Sequence, residues 1–208
     1  MVGSFAALVA AGGALGAVLY RPGQRAVARY TAEAPSGVRV ALLGAVALGA
    51  TAAACGVHWH VLALLWAAAF AVPLALVDVA EHRLPQPLTY PSAAGTLLLL
   101  AVAPLLGDRT GSPLHALYGA AGVWAVFWLM ALALPFGLGD ATLGLTVGAV
   151  LGWYGFTVLF EGVFLGFLLS GIYGTGKLVA RRARRRDELP FGPFLLLGAL
   201  LAVALTAT

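Results

Sequence analysis

Apolar residues recur in long runs from one end of this 208-residue chain to the other, broken only by short polar stretches. A helix needs about 20 apolar residues to cross the hydrocarbon core of a bilayer, and fewer where its neighbours shield it. By that rule eight segments are predicted, over 3–20, 39–57, 60–78, 88–106, 114–135, 141–154, 156–178 and 190–207, the sixth being short. The fold class predicted is therefore all-α, a polytopic transmembrane bundle of about eight helices. A single domain over 1–208 is expected, because the longest polar stretch, roughly 21–38, is too short for a core of its own. No internal repeat suggests the inverted halves of many transporters.

Composition agrees with the pattern. Hydrophobic residues make up 62% of the chain and charged residues 10%, with a mean hydropathy of +0.97, too little polar surface to cover a water-soluble globule. The pI near 9.6 does not point to nucleic acid, since the basic residues sit in short connections between apolar segments. If eight segments alternate, Arg21, Arg25, Arg29, Arg39, Arg83, Lys177, Arg181, Arg182, Arg184, Arg185 and Arg186 all fall on one side. The other side receives only Arg109. Cytoplasmic loops carry the Lys and Arg excess, so the amino terminus is expected outside. The Arg-rich run 181–188 could bind anionic lipid or substrate, but it reads first as a topology anchor. A signal peptide competes for the first segment, but no basic residue precedes it and arginines follow it, the reverse of a secretory leader. The lone Cys55, inside an apolar run, is expected to pack; it allows neither an intrachain disulfide nor a cysteine-built zinc site.

Two aspartates change the picture from membrane protein to candidate enzyme. Carboxylates at the edges of spanning segments carry a large solvation cost, and a pair of them asks for a functional reason. Asp78 ends the third segment and is followed by Pro85 and Pro87, which stop the helix and force a turn. Asp140 follows Gly137 and Gly139, which let the backbone approach another chain closely, so a flexible, side-chain-poor loop is expected to present it. The topology above puts both on the cytoplasmic face. Two carboxylates brought together tend to share one proton, one serving as general base and the other as general acid, which is the machinery of an aspartic protease. The bland alternative is that each caps a helix or meets a loop arginine such as Arg83.

In these frames the chain resembles the type IV prepilin peptidases, membrane aspartic proteases with a GlyXGlyAsp motif. The resemblance rests on Asp78, Leu84, Pro85, Leu88 and Thr89, on Gly137, Leu138, Gly139 and Asp140, and on Pro190, Phe191, Gly192 and Pro193. It implies cleavage of the short basic leaders of prepilins or pseudopilins at the cytoplasmic face of the bacterial inner membrane. Asp78 and Asp140 would then be the catalytic dyad, and Gly137, Gly139, Leu84, Pro85, Thr89, Pro190 and Gly192 would shape the loops around substrate. His82, close to Asp78, is a candidate for tuning its charge. The partners implied are prepilin substrates and membrane lipids; no cofactor and no nucleic acid are expected. Bifunctional members carry a cytoplasmic domain with paired CysXXCys motifs and also methylate the new amino terminus; one cysteine here leads us to expect a short, peptidase-only form. Members often have lysine two residues after the second aspartate, where this chain has Thr142.

Three other readings compete. Presenilin-like and signal-peptide-peptidase-like proteases share GlyXGlyAsp but have TyrAsp and ProAlaLeu frames, which this chain replaces with ValAsp and ProPheGlyPro. A non-enzymatic component or proton-coupled transporter would place carboxyls near the bilayer midplane, in broken helices. An inactive relative of the peptidases is the third. Glu161 is expected near the outer surface. His58 and His60, flanking Trp59, are expected in an ordinary outer loop, since two histidines without a third ligand make a poor metal site.

Overall fold

A computed structural model of the protein describes residues 28–29, 46, 51, 58–82, 84–133, 137–180 and 190–206. They form α1 (Val61–Glu81), α2 (Gln86–Val102) running into a 3-10 turn (Ala103–Leu106), α3 (Pro113–Ala133), α4 (Leu138–Tyr154), α5 (Phe156–Val179) and α6 (Gly192–Thr206). Among the described residues there is no strand, and the fold is all-α. α1, α2 with its turn, α3 and α5 are each long and apolar enough to cross a membrane, which makes this a multi-pass membrane protein. The predicted segments 3–20 and 39–57, and the expected outward amino terminus, lie outside the described residues, save Val46 and Thr51.

Helix ends fall where backbone chemistry requires them. His82 caps α1 in the left-handed region (φ 52°) and donates its N–H to the Asp78 carbonyl at 2.9 Å. Pro85 caps α2, and Pro87 lies in its first turn, where a missing N–H leaves no intrahelical bond unmade. Gly155 (φ +123°) is the joint between α4 and α5, a backbone conformation that L side chains rarely adopt. Glu161 is exposed in the second turn of α5.

α4 is the central element. Apart from Leu145, every residue from Ala141 to Trp153 is buried. Leu143, Val147 and Leu151 join Leu74, Phe127 and Leu195 in the main core, while Ala149 and Trp153 join Ala63, Leu100, Ala116 and Ala120 in a second cluster. α3 and α4 approach backbone to backbone: a methyl group on Gly148 would land on the Gly119 carbonyl, and one on Gly119 on the Gly148 carbonyl. Without a hydrophobic drive between helices in lipid, such small-residue contacts supply much of the packing.

A polar cluster pins the end of the bundle at which α1 and α3 begin. His60 is 2% exposed and Asp108 4% exposed, so the HisTrpHis stretch divides: His58 and Trp59 stay exposed and His60 turns inward. The His60 amide donates to Asp108 Oδ2 at 2.8 Å, His60 Nδ1 lies 2.9 Å from the same oxygen, and His60 Nε2 lies 3.0 Å from the Tyr154 hydroxyl. The Thr110 hydroxyl donates to Asp108 Oδ1 at 2.6 Å, and the Ser112 amide to the Trp153 carbonyl at 3.1 Å. The expectation of an ordinary outer loop is thereby corrected for His60. Its partners lie 48 to 94 residues away and are invisible to a local reading. Burial works against ionisation of Asp108, but hydrogen bonds from Thr110 and from the His60 amide and ring outweigh it and hold the carboxyl well below the usual carboxylate range.

Two outcomes follow. An Asp lowered on folding stabilises the protein above its unfolded pKa of about 3.9, and that contribution is lost as pH falls below it. Asp108→Asn should therefore lower the melting temperature in detergent by roughly 5 °C at pH 7, from the loss of about 2 kcal/mol of charged hydrogen bonding, with the gap to wild type beginning to close only below about pH 4 and still narrowing as the pH falls further. Gly148→Leu should cost about 3 kcal/mol or more by forcing α3 and α4 apart, read as loss of a cooperative thermal transition, whereas Gly122→Ala, whose added methyl meets open space, should leave it unchanged.

Candidate active site

Asp78 lies in the last turn of α1, where the helix dipole disfavours an anion. The start of α6 compensates. Gly192 donates its backbone N–H to Asp78 Oδ2 at 2.8 Å, across 114 residues of sequence, and Asp78 is only 4% exposed. An added Cβ on Gly192 would stand 2.9 Å from that oxygen and 3.5 Å from Leu84 Cδ1, so only glycine lets the main chain of α6 come this close. Phe191, beside it, is held edge-on against Phe127 at 5.8 Å and tilted against Phe167 at 4.9 Å. These aromatic contacts fix where the Gly192 donor points.

Asp140 lies in the first turn of α4, beyond Gly137 as N-cap, where a negative charge is favoured by the helix dipole. Its N–H donates to the Gly137 carbonyl at 3.0 Å. The sequence expectation of a loop-borne carboxyl is corrected here: the glycines form the entry to the helix, and Asp140 is already helical. Asp78 likewise does not end its helix, which continues to Glu81. Gly139 packs on the chain at Leu84, whose carbonyl oxygen would be 2.6 Å from an added Cβ.

Leu84, 8% exposed, is thus wedged between the starts of α4 and α6. Around it the structure gathers Asp78, Gly137, Gly139, Asp140 and Gly192 at one end of the bundle. Asp140 Oδ1 is buried with no hydrogen-bond partner among the described residues. A buried acceptor left bare is uncommon and marks a place where an incoming donor gains most. Pro85 and the buried Thr89 sit behind this group at the start of α2, and Pro190 is buried just before α6. His82 joins Asp78 through its backbone while the residue as a whole is exposed. Among the described residues no cluster of three His, Cys, Asp or Glu could hold a metal ion.

The sequence reading missed a ladder of hydroxyls between α2 and α4. Thr142, 4% exposed, places its Oγ1 2.8 Å from the Gly139 carbonyl and 2.9 Å from Thr89 Oγ1, and Thr146 Oγ1 donates to Ser92 Oγ at 3.2 Å. The signal was present as hydroxyl residues four apart in 142–146 and three apart in 89–92, each pair on one helix face.

Comparison with known proteins bears on the same region. The type IV leader peptidase family model matches residues 63–175, which include both aspartates. The chain is similar to prepilin leader peptidase/N-methyltransferases, with 31% identity over 150 residues to that of Aeromonas salmonicida, covering 70% of this chain and 50% of the relative. Identity is 30% over 179 residues to that of Aeromonas hydrophila (82% and 60%) and 29% over 155 residues to that of Pseudomonas aeruginosa (71% and 51%). The chain spans half to three-fifths of the length of these curated relatives. No solved structure matches it. More than half of the chain, with both buried-end carboxylates in it, thus follows the family pattern, and the protein belongs to the type IV leader peptidase family.

Proposed function

We propose that this protein is an aspartic endopeptidase that removes the short basic leader of type IV prepilins or pseudopilins at the cytoplasmic face of a bacterial inner membrane. The observation that carries the reading is the pairing of a carboxylate held by a backbone N–H, Asp78, with one whose Oδ1 is bare, Asp140. The family to which the chain belongs supports the substrate class, since its relatives are named for prepilin leaders.

In the proposed reaction the ionised carboxylate takes a proton from a water as it attacks the scissile carbonyl, and the protonated one hydrogen-bonds the carbonyl oxygen. Collapse of the tetrahedral intermediate returns a proton to the leaving amine, and the two groups exchange roles. No side-chain nucleophile is required. Asp78, already bonded to Gly192, changes its hydrogen bonding least and suits the fixed partner. Asp140, with a free oxygen, suits the one that meets water. The site lies at the end of the bundle, where a substrate helix still spanning the membrane can present the residues just preceding it. A proton-coupled transporter is disfavoured by the same end-on position, because its carboxyls would serve both sides from mid-membrane.

Co-expression with a prepilin from the same genome, with the leader followed by mass spectrometry, tests the reading. Asp78→Asn and Asp140→Asn should each reduce cleavage at least about a thousandfold while the protein remains inserted and monodisperse. Substantial activity in either variant would sink the dyad assignment, and the mass of the new amino terminus reads directly whether it is methylated. Gly192→Ala should reduce the rate roughly tenfold to a hundredfold, since the added methyl meets Asp78 at 2.9 Å and a small displacement of a reacting group is costly.

A further inference from the structure

Thr142 stands where members of the family often carry lysine, and its surroundings give it a different task. Its hydroxyl touches the Gly139 carbonyl, which belongs to the peptide bond that joins Gly139 to Asp140. It also touches Thr89, on the helix whose entry is Leu84–Pro85. Gly139 in turn rests on Leu84, and Leu84 on Gly192, the donor to Asp78. The Thr142 hydroxyl therefore sits where the peptide carrying one aspartate meets the helix that sets the wedge against the other.

We infer that Thr142 is a positioning residue: through its paired contacts with the Gly139 carbonyl and Thr89 it fixes the register of α2 against α4, and so the placement of Asp140 relative to Asp78. Three observations carry this. Thr142 and Thr89 are 4% and 0% exposed, so water does not offer their hydroxyls an alternative partner. A second rung, Thr146 to Ser92, repeats the contact one helical turn further on, which sets register as well as distance. Sliding α2 by one residue would break both rungs and move Leu84 off Gly139.

The inference rests on the peptidase reading for its catalytic consequence but not for its structural one, and the test separates the two. Thr142→Val keeps the shape and deletes the hydroxyl, Thr142→Ser keeps the hydroxyl, and Thr89→Val removes the other partner. Thr96→Val is the control, a buried threonine whose hydroxyl donates to the Ser92 carbonyl of its own helix. Amide hydrogen exchange over residues 137–141 should rise severalfold in Thr142→Val and Thr89→Val, with no further rise in the double variant, and return toward wild type in Thr142→Ser. On a prepilin substrate, kcat should fall roughly tenfold in both valine variants with KM within about twofold, Thr142→Ser should recover most of the loss, and Thr96→Val should match wild type. Unchanged exchange and unchanged kcat in Thr142→Val would overturn the inference, as would additive losses in the double variant. If exchange responds as expected but the wild-type protein cleaves no prepilin, the clasp stands and the peptidase reading fails instead.

Discussion

The structure depends on burying one short helix along almost its whole length. α4 has no face left for lipid: neighbouring helices cover it from Ala141 to Trp153, with Leu145 the sole half-open position. That burial is possible only because the contact with α3 is made of glycine and alanine, which bring two backbones together where larger residues would hold them apart. Being shielded, α4 can be 17 residues long and carry polar groups at both ends. Asp140 and Thr142 are at its start, Trp153 and Tyr154 at its finish.

The two polar ends are built on opposite plans. Around Asp108 the carboxylate is saturated: both oxygens have donors, the ring of His60 is engaged on both sides, and the cluster ties together elements distant in sequence. Around Asp140 one oxygen has no partner among the described residues. A satisfied buried network rigidifies; an unsatisfied one keeps interaction energy in reserve for whatever binds. The same fold thus contains a closed end that holds the helices in register and an open end where chemistry can occur.

Much of this was legible in the hydrophobic pattern. The six later segments coincide with the six described helices, their boundaries shifted by at most three residues when the 3-10 turn is counted with α2, because apolar runs in a membrane leave helix as the only structure that satisfies the backbone. Pro85 and Pro87 marked a helix boundary correctly, whereas the glycines at 137 and 139 were read as a loop and proved to be the entry of a helix that already contains Asp140. A glycine N-cap followed by an acidic residue three positions on is itself a helix-start signal. The role of Leu84 was accessible only as part of a resemblance, since its two contacts lie 55 and 108 positions away along the chain. The loops holding His60 and Arg109 were both assigned to the outer side, but nothing joined His60 to Asp108, for pairing across 48 residues leaves no periodic trace. Thr142 drew notice as a departure from a pattern, and its contacts with Thr89 and Gly139 became visible only when α2 and α4 were placed side by side.

The bond between Gly192 and Asp78 joins positions 114 residues apart, and this has a consequence for how the protein is made. A ribosome releases Asp78, then Asp140, and reaches Gly192 only after α5 and the arginine-rich stretch have been synthesised. During that interval α1 can already lie in the bilayer, yet its carboxylate has no backbone donor. The arrangement at the bundle end is completed only by the arrival of α6, the last described helix, so the older of its two carboxylates waits longest for its partner.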